Sequence, residues 1–599
     1  MSTREQEDRY DRRLALSADG DLAVLNAAGV IEAADVHVAT RLTELVDESD
    51  DVVRVTLALV VRAAREGSTS LDPEHARELV AGESADDAGD DAGEVAPFVD
   101  LPPTRTWLDQ VRASALGAAG VLHVEHDLIY LDRYHREEVQ VAADLARRAG
   151  AAPPPVEDAV LEAGLARVFP GESWREQRDA VRAAAARLTT VLAGGPGTGK
   201  TSTVAGLLTL LLEQAEEGGR RPRIALAAPT GKAAARLRES VLGSLQHLPD
   251  EDRLRLGSDI EAVTVHRLLG WRPDSGNRFR RDRGNPLPHD VVVVDEASML
   301  SLTLTARLLE ALRPTARLLL VGDPDQLASV EAGAVLADLV AGYGDRDDSP
   351  VVRLQTSHRF GQEIGSLAEA VRIGDADSVL EMLSAATPGG AVEHLPVDDV
   401  LGADEVLRTR LLQHALRLRE LALAGDHAAA LHELAEERLL CAHRDGPWGV
   451  GPWNDRVERW LGEATDYSGR QLVGRPLLVT TNDRGLGLFN GDTGVMALRS
   501  DGRVVGVFGE PSSPLVHAAT SLAEVDTAHA LTIHKSQGSQ ARSVTVLLPD
   551  ADSRLLTREL LYTAITRAQE RVTLVGSQEA IRAAVLRRTQ RATGLRHRV

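Results

Sequence analysis

The sequence predicts an α/β protein with two parallel sheets, a mostly helical N-terminal module and a small inserted β-barrel. Three observations support this class. Short apolar runs rich in β-branched residues and leucine alternate with helical patterns from about residue 156 onwards. The segment before them is mostly helical, and residues 472–528 alternate apolar and polar side chains between turn formers. A chain of 599 residues is long enough for three or four domains, each with its own core.

Residues 1–155 are expected to form a helical module without a phosphate-binding loop. Helical periodicity is clearest in VVRVTLALVVRAAREG and HREEVQVAADLARRAG. The acidic run ESADDAGDDAGE, residues 83–94, is expected to be a solvated loop. The stretch AGAAPPP ends at Pro155 and predicts a linker to the next domain.

A first α/β domain is expected over residues 156–349. The runs LTTVLA, RIALAAPT, HDVVVVDEAS and ARLLLVGDP have the composition of parallel strands buried on both faces, with sites at their carboxyl ends. Residues 271–289 interrupt the pattern with basic and aromatic side chains around turn formers, which favours a projecting hairpin. Trp271 and Phe279 in this segment are expected to pack locally, with wedging of a duplex or base stacking as the alternative.

The second α/β domain is expected over residues 350–599, with the barrel inserted at about 472–528. The inserted stretch carries ND, NGD and DG turns between its alternating runs, which is typical of antiparallel hairpins. Trp448 and Trp453 precede it and are expected in the core or in a cleft wall.

The composition limits the function classes. A net charge of −23 argues against a protein that coats nucleic acid without specificity, although it allows a narrow basic channel. The single cysteine, Cys441, excludes an internal disulfide and a multi-cysteine zinc site and is expected to be a small buried apolar residue. The charged start MSTREQEDRYDRR and the absence of long apolar runs predict a cytoplasmic protein.

A phosphate-binding loop is predicted at GGPGTGKT, residues 194–201, between a strand and a helix. Glycines let backbone amides turn towards phosphate oxygens, and the helix N-terminus adds its partial positive charge. Lys200 is expected to reach the β- and γ-phosphates of ATP, and the Thr201 hydroxyl to bind Mg²⁺. The nucleotide contacts are expected from Gly194, Gly195, Pro196, Gly197, Thr198, Gly199, Lys200, Thr201 and Ser202.

Further polar residues at strand ends complete a site for ATP hydrolysis. In VVVVDEASM, Asp295 is placed to hold Mg²⁺ and Glu296 to polarise the attacking water. In LVGDPDQL, Gln326 follows Asp323 and is placed to contact the γ-phosphate or its water. Gln177, upstream of the loop, is suited to bond an adenine edge, with a helix-surface role as the alternative.

Lysine is almost absent from the chain, which makes the lysines that remain informative. Only Lys200, Lys232 and Lys535 occur among 67 basic residues, and the last two lie in APTGKAA and TIHKSQGSQ. In a chain that otherwise uses arginine for positive charge, these lysines are candidates for function. No lysine stands two residues after an acidic residue, as the common two-metal DNA nuclease motif requires.

Taken in order, the segments resemble the superfamily 1 helicase motifs. Gln177, GGPGTGKT, APTGKAA, TVHRLLG, VVVVDEASM, VGDPDQL, SHR, TIHKSQGSQ and YTAITRA occur with the approximate spacing of that superfamily over about residues 170–570. The chain is similar to the RecD family, the alpha subunit of RecBCD-type exonuclease V. The resemblance implies two RecA-like P-loop domains, a helical N-terminal module and an SH3-like β-barrel in the second RecA-like domain.

The resemblance also implies roles for residues outside the phosphate loop. Arg359 in SHR and Arg567 in YTAITRA match the two arginines that reach the γ-phosphate from the second domain. Matches to segments that line the single-strand track or the cleft are Thr230, Lys232, His266, His534, Lys535 and Gln537. From the residues alone, Lys535 can face either DNA or nucleotide, and the two histidines can be structural.

The predicted function is therefore that of an ATP- and Mg²⁺-dependent DNA helicase acting on single-stranded DNA. The resemblance implies 5′-to-3′ translocation, RecB-like and RecC-like partner subunits, a role in double-strand break repair and nuclease activity in a partner. The alternatives are a self-sufficient RecD-like helicase, a P-loop phosphotransferase acting on a small molecule, and a nonenzymatic scaffold. DNA-independent ATPase activity would favour the phosphotransferase.

Overall fold

The computed structural model describes residues 11–599 except for 81–98, 154, 219–220, 258–259, 273–278, 345, 347, 357–360, 466–471 and 484. The acidic run at 83–94 and Arg359 therefore lie outside the described residues, as does part of the segment 271–289. Within the described ranges, no helix combines the length and the apolar character that crossing a membrane requires.

The N-terminal region is mostly helical and contains one antiparallel hairpin. Its helices are α1 Gly20–Ala27, α2 Ala33–Leu45, α3 Asp51–Arg65, α4 Pro73–Val80, α5 Thr104–Ala113, α6 Ala115–Ala118 and α7 Asp132–Ala149, and its strands are β1 Leu122–Glu125 and β2 Leu128–Leu131. Helix α3 lies at the centre of this core, where the Trp107 indole donates to the Thr56 hydroxyl over 2.7 Å. The side chain of Asp50 caps α3 by accepting from two backbone amides, a contribution of about 1 kcal/mol.

The first α/β domain is built on a six-stranded parallel sheet in the order β5-β4-β6-β7-β3-β8. Its strands are β3 Thr189–Gly194, β4 Ile224–Ala228, β5 Ala262–Thr264, β6 Val291–Val294, β7 Arg317–Gly322 and β8 Val351–Leu354. Its helices are α8 Asp158–Val168, α9 Arg175–Ala185, α10 Lys200–Gly218, α11 Gly231–Leu245, α12 Asp250–Leu256, α13 Val265–Leu269, α14 Leu302–Ala311 and α15 Val335–Tyr343. Strand β8 pairs with β3, so the sheet extends beyond residue 349, the expected end of this domain.

The second α/β domain contains a five-stranded parallel sheet and an inserted antiparallel sheet. The parallel sheet has the order β16-β10-β17-β18-β9 and the inserted sheet the order β14-β13-β12-β11-β15. The strands are β9 Val392–Leu395, β10 Glu437–Cys441, β11 Pro476–Val479, β12 Thr493–Leu498, β13 Val504–Glu510, β14 Ser513–Ala518, β15 Val525–Thr527, β16 Ala530–Thr532, β17 Ala541–Leu547 and β18 Ala568–Val575. The helices are α16 Gln362–Ile373, α17 Ala376–Ala385, α18 Val400–Ala424, α19 His427–Glu436, α20 Val450–Ala464, α21 Arg558–Ile565, α22 Gln578–Leu586 and α23 Leu595–Arg598.

The inserted sheet occupies the stretch in which the sequence alternates between apolar and polar residues. Alternation has a period of two, so one face of each strand packs inward. Val495, Ala497 and Val507 on that face lie in one apolar cluster with helices α18 and α19. The expected core positions are also confirmed, because Trp448, Trp453 and Cys441 are buried in one cluster beside the parallel sheet.

Residues 587–599, here called the C-terminal strap, run from α22 back to the N-terminal region. The backbone amides of Thr69 and Ser70 donate to the carbonyl oxygen of Ala592, over 3.0 and 3.2 Å. The Thr593 hydroxyl donates to the Asp338 carboxylate on α15 over 2.6 Å. The strap thus connects the second α/β domain to both other parts of the chain.

Candidate functional site

The phosphate-binding loop follows β3 and leads into α10. Gly197 and Gly199 have φ values of 81° and 85°, which only glycine adopts readily. A side chain at Gly194 would place its Cβ 2.7 Å from the Thr198 hydroxyl and 2.9 Å from the carbonyl oxygen of Leu354. The Lys200 ammonium donates to the carbonyl oxygens of Gly194 and Gly195 over 2.6 and 2.7 Å. The ammonium therefore lies over the loop, where a phosphate would replace these carbonyls as its partner.

Gln177 lies beneath this loop and not on an open helix surface. Its amide nitrogen donates to the carbonyl oxygen of Thr198 over 3.0 Å, and the side chain is fully buried. Its amide oxygen has no hydrogen-bond partner among the described residues. A buried acceptor without a partner destabilises the site, so a ligand that donates there, such as an adenine amino group, fits the position.

Two carboxylates follow β6 at the carboxyl edge of the sheet. Burial and the neighbouring Glu296 carboxylate raise the pKa of Asp295, and the Lys200 ammonium opposes that rise. Glu296 has a φ of 50°, a left-handed conformation that is costly for a residue with a side chain. Strained backbone of this kind is concentrated at functional sites, which makes Glu296 a candidate for chemistry.

The donor atoms near the loop fit Mg²⁺. Magnesium prefers oxygen ligands and keeps several waters, taking one or two protein groups together with substrate phosphates. The Thr201 hydroxyl and the Asp295 carboxylate offer such oxygens. Throughout the part of the chain that the structure describes, no group of three or more His, Cys, Asp or Glu side chains could hold a metal by itself. The residues present therefore suit a nucleotide-bound Mg²⁺ and not a protein-only metal centre.

The two α/β domains meet beside the phosphate loop at a contact here called the seam, formed by residues 323–327 and helix α21 with Arg567. The Arg567 guanidinium is buried and donates from Nη2 to the Gln326 amide oxygen over 3.0 Å. Desolvation lowers the pKa of Arg567, while the carboxylates of Glu296 and Asp323 act to raise it. The structure thus brings Arg567, Gln326 and Glu296 together, whereas Arg359 lies outside the described residues.

A cavity of about 520 Å³ opens between the domains along the phosphate loop. The loop residues Gly194, Gly195 and Pro196 form one wall, and Arg353 on β8, Arg372 on α16 and Tyr562 on α21 contribute to the others. Its position beside Lys200 and the seam suits a nucleotide held between the two domains.

Two of the predicted DNA-contact residues meet the inserted sheet at its tip loop, residues 489–492. The Lys232 ammonium donates to the carbonyl oxygen of Gly491 over 2.8 Å, and the Lys535 ammonium donates to the Asn490 side-chain oxygen over 2.8 Å. Thr230 caps α11 by accepting from the amide of Ala233 over 3.2 Å. Lys232 and Lys535 are therefore brought together around one loop.

The other predicted track residues lie at separate places. The Gln537 amide donates across the seam to the carbonyl oxygen of Leu327 over 3.1 Å. Burial lowers the pKa of His534, with a smaller contribution from Arg591 of the strap. His266 packs against the rings of Trp271 and Phe279, with centroids 6.3 and 5.9 Å away. Trp271 remains 42% exposed, and a bridge pairs it with Phe279.

Sequence patterns did not single out several residues of this region. The missed residues are Arg236, whose guanidinium donates to the carbonyl oxygen of Gly538; Arg438, which is buried; Asn490 and Gly491 of the tip loop; and Tyr562 and Thr563 of α21. Tyr562 and Thr563 stand inside the segment YTAITRA, which did give a signal. For Arg236 and Arg438 the sequence offers no signal, because neither is set apart from the abundant surface arginines.

The chain is similar to known helicases over most of its length. A family model for the AAA domain matches residues 177–332, and one for the UvrD-like helicase C-terminal domain matches residues 527–575. The chain is 54% identical over 597 residues to the RecBCD enzyme subunit RecD of Mycobacterium tuberculosis, with 98% of each chain covered. It is 32% identical over 429 residues to the ATP-dependent RecD2 DNA helicase of Deinococcus radiodurans, covering 71% of this chain and 52% of that one.

A solved structure of Bacteroides Pif1 bound to ssDNA has a TM-score of 0.38 and 15% identity, over 67% of this chain and 92% of that one. The segments that the two family models match contain the phosphate loop, the carboxylates after β6 and the seam residue Arg567. The two parallel sheets fit two RecA-like domains. Because the chain is 54% identical to a RecD subunit with 98% of each chain covered, it belongs to the RecD family of superfamily 1 and is an ATP-dependent DNA helicase.

Proposed function

We propose that this helicase translocates 5′-to-3′ on single-stranded DNA as the alpha subunit of a RecBCD-type complex in double-strand break repair. Its partners would be RecB-like and RecC-like subunits, and nuclease activity would belong to a partner. The observation that carries the motor role is the seam: Arg567, from the second α/β domain, bonds Gln326 of the first beside the phosphate loop. The similarity to proteins named RecBCD enzyme subunit RecD supports the proposed partners, and the direction is what the resemblance of the motifs to the RecD family implies.

The nucleotide site would work by holding charge on both sides of the cleft. Lys200 and the loop amides would bind the β- and γ-phosphates, and Gln177 the adenine edge. Thr201 and Asp295 would hold Mg²⁺, which neutralises developing charge on the phosphates. Glu296 would orient and deprotonate the attacking water, while Gln326 would contact the γ-phosphate or its water.

Arginines from the second α/β domain would make closure of the cleft depend on the γ-phosphate. Arg567 already lies at the seam, and Arg359 is proposed as its companion from the SHR segment. An arginine supplied from a facing domain stabilises transition-state charge and links hydrolysis to domain motion. Each ATP cycle would close and reopen the cleft.

Single-stranded DNA would lie across the carboxyl ends of the first sheet and the tip loop. Thr230, Lys232 and Lys535 would contact DNA phosphates there without base-specific contacts. Gln537, which bonds Leu327 across the seam, would link this track to the contact between the domains. We assign His266 and His534 to the walls of this track. We further infer that the inserted sheet is the SH3-like barrel of the family, and that residues 1–155 dock the partner subunits.

The decisive experiment is ATP hydrolysis by the purified chain with and without an oligonucleotide, in the parent protein and in Lys200→Gln and Arg567→Ala. Strong stimulation by single-stranded DNA is expected in the parent, with near-background turnover in both variants. Circular dichroism would verify that both variants fold. ATPase activity that ignores DNA would contradict the motor assignment and favour a phosphotransferase.

Direction and partners require separate measurements. Displacement of streptavidin from the 3′ end but not the 5′ end of biotinylated single strands is expected for a 5′-to-3′ translocase. Affinity purification from the native cells should recover two large subunits in fixed ratio with the chain. Efficient unwinding by the lone chain, with no copurifying subunits, would instead support a self-sufficient helicase.

A further inference from the structure

Tyr562 occupies a position at the seam to which the proposed function gives no role. It stands on α21, five residues before Arg567, and is 5% exposed. Its hydroxyl donates to the Asp323 carboxylate, on the other side of the cleft, over 3.1 Å. The same hydroxyl lies 3.1 Å from where a Cβ on Gly195 would be, so the tyrosine also covers the phosphate loop.

The Asp323 carboxylate also bonds Gln326, so it connects Tyr562 to that residue. The carboxylate accepts the Gln326 amide nitrogen over 2.9 Å and, at its other oxygen, the backbone amide of Asp325 over 3.1 Å. An amide side chain has one donor end and one acceptor end. Since the donor end of Gln326 is bound to Asp323, its oxygen faces Arg567, which donates to it over 3.0 Å.

A second set of bonds closes the ring. The Arg567 Nε donates to the carbonyl oxygen of Thr563 over 3.1 Å, and the Thr563 hydroxyl accepts the backbone amide of Leu327 over 3.0 Å. The hydrogen bonds therefore run from Tyr562 through the loop of the first α/β domain to Arg567 and back into α21. All of the side chains in this ring are buried, and in buried networks each bond orients the next.

We propose that Tyr562 is a positioning residue for the proposed γ-phosphate arginine: its hydroxyl fixes Asp323 and Gln326 so that Arg567 is held at the seam when the cleft is closed. The inference rests on the proposed role of Arg567. The Tyr562 hydroxyl is expected to affect the rate of turnover and not the affinity for nucleotide, because it bonds a protein group and the phosphate loop keeps its own contacts.

The test is Tyr562→Phe, which keeps the ring and removes the hydroxyl. DNA-stimulated kcat is expected to fall about tenfold, as loss of a buried bond to a charged group allows, with KM for ATP changed by less than about twofold. Tyr343→Phe on α15 is the matched control and should retain parental kinetics. An unchanged kcat in folded Tyr562→Phe, or a raised KM with kcat preserved, would overturn the proposal.

A double-mutant cycle with Asp323→Ala separates a positioning role from general loss of packing, because alanine removes the oxygen that accepts from Tyr562 and Gln326. If the hydroxyl acts through Asp323, adding Tyr562→Phe to Asp323→Ala should lower kcat by less than about twofold further. Multiplying effects would contradict the proposal. Asp323→Ala alone should reproduce the loss of kcat at nearly constant KM, which keeps the test usable should Tyr562→Phe unfold. Parental turnover in Arg567→Ala would instead refute the proposed function itself.

Discussion

Lys232 is a lysine whose surroundings oppose its charge. Burial, followed by the nearby guanidinium groups of Arg438 and Arg236, lowers its pKa to about 7, and Asp492 offsets only part of this. A DNA phosphate would favour the charged ammonium and raise that pKa again, so binding would take up a proton above pH 7. Single-strand affinity should therefore decrease as pH rises from 7 to 9, by at most about tenfold per pH unit.

Fluorescence anisotropy with a labelled oligonucleotide at several pH values would measure this dependence. Lys232→Arg is the matched control, because a guanidinium keeps its charge over this range. The variant should bind with a flatter pH profile. An equal slope in both proteins would show that another group takes up the proton.

Asp323 shows how a functional carboxylate costs stability. Burial is the main cause that raises its pKa from 3.8 to about 6, against the opposing effect of Lys200. Because the folded pKa lies above the unfolded one, the penalty is full above pH 6 and disappears as pH falls towards 4. Asp323→Asn removes this titration, but its amide nitrogen cannot accept a bond that one of the carboxylate oxygens accepts. Relative to the parent, the stability of the variant should therefore improve between pH 5 and pH 8, by on the order of 1 kcal/mol. Thermal melts of both proteins at pH 8 and pH 5 would check this, and an equal difference at the two pH values would contradict it.

At the scale of elements, the C-terminal strap depends on a close approach at Gly594. A Cβ there would lie 1.8 Å from the Tyr130 hydroxyl oxygen and 2.9 Å from a Glu138 carboxylate oxygen. Gly594→Ala should therefore destabilise the fold by about 1 to 3 kcal/mol through overpacking, and lower the melting temperature. Adding Tyr130→Phe removes the clashing oxygen and should restore part of the loss. No recovery in the double variant would indicate that the backbone of the strap, and not this contact, sets the cost.

Elements whose pattern is local were predictable from sequence, and those that depend on distant partners were not. The runs TTVLAG and VVVV become β3 and β6 because uninterrupted β-branched and leucine residues suit strands covered on both faces. Strand β8 carries the exposed Arg353 among its apolar residues, and its place beside β3 depends on pairing that no local signal specifies. The sequence of the strap, residues 587–599, has no apolar periodicity that would predict its position. Hydrogen bonds to Thr69, Ser70 and Asp338 hold it in place.

The candidate site follows the same division. Lys200, Asp295 and Glu296 were predictable because each type of residue follows a buried strand in a fixed motif. The contact of Lys535 with Asn490 could not be predicted, because it joins a strand end to an insertion some 45 residues away. Tyr562 shows a third case, in which a recognised segment contains a residue whose partner only the fold reveals.

At the scale of the whole molecule, the chain has a negative net charge but gathers basic side chains between its two α/β domains. The net charge is −23, yet three cations lie close together between the two α/β domains: besides the effect of burial, Arg438 and Arg236 lower the pKa of Lys232, and Arg236 lowers the pKa of Arg438. Long-range attraction of DNA would be weak for such a protein, whereas binding inside the cleft would be strong. This distribution suits a motor that holds a strand only where its domains meet.

Opening and closing of the whole molecule can be tested with a disulfide across the cleft. A Cβ built on Gly538 lies 3.9 Å from the Cβ of Ala233, within the range that disulfides span. The only native cysteine, Cys441, is buried and should not interfere. Oxidised Ala233→Cys/Gly538→Cys should lose DNA-stimulated ATP turnover, because the cleft can no longer reopen, and dithiothreitol should restore it. Each single variant controls for the strain of a side chain at Gly538, whose φ is 67°. Full turnover by the cross-linked protein, verified by mass spectrometry, would mean that hydrolysis does not require the domains to separate at this point.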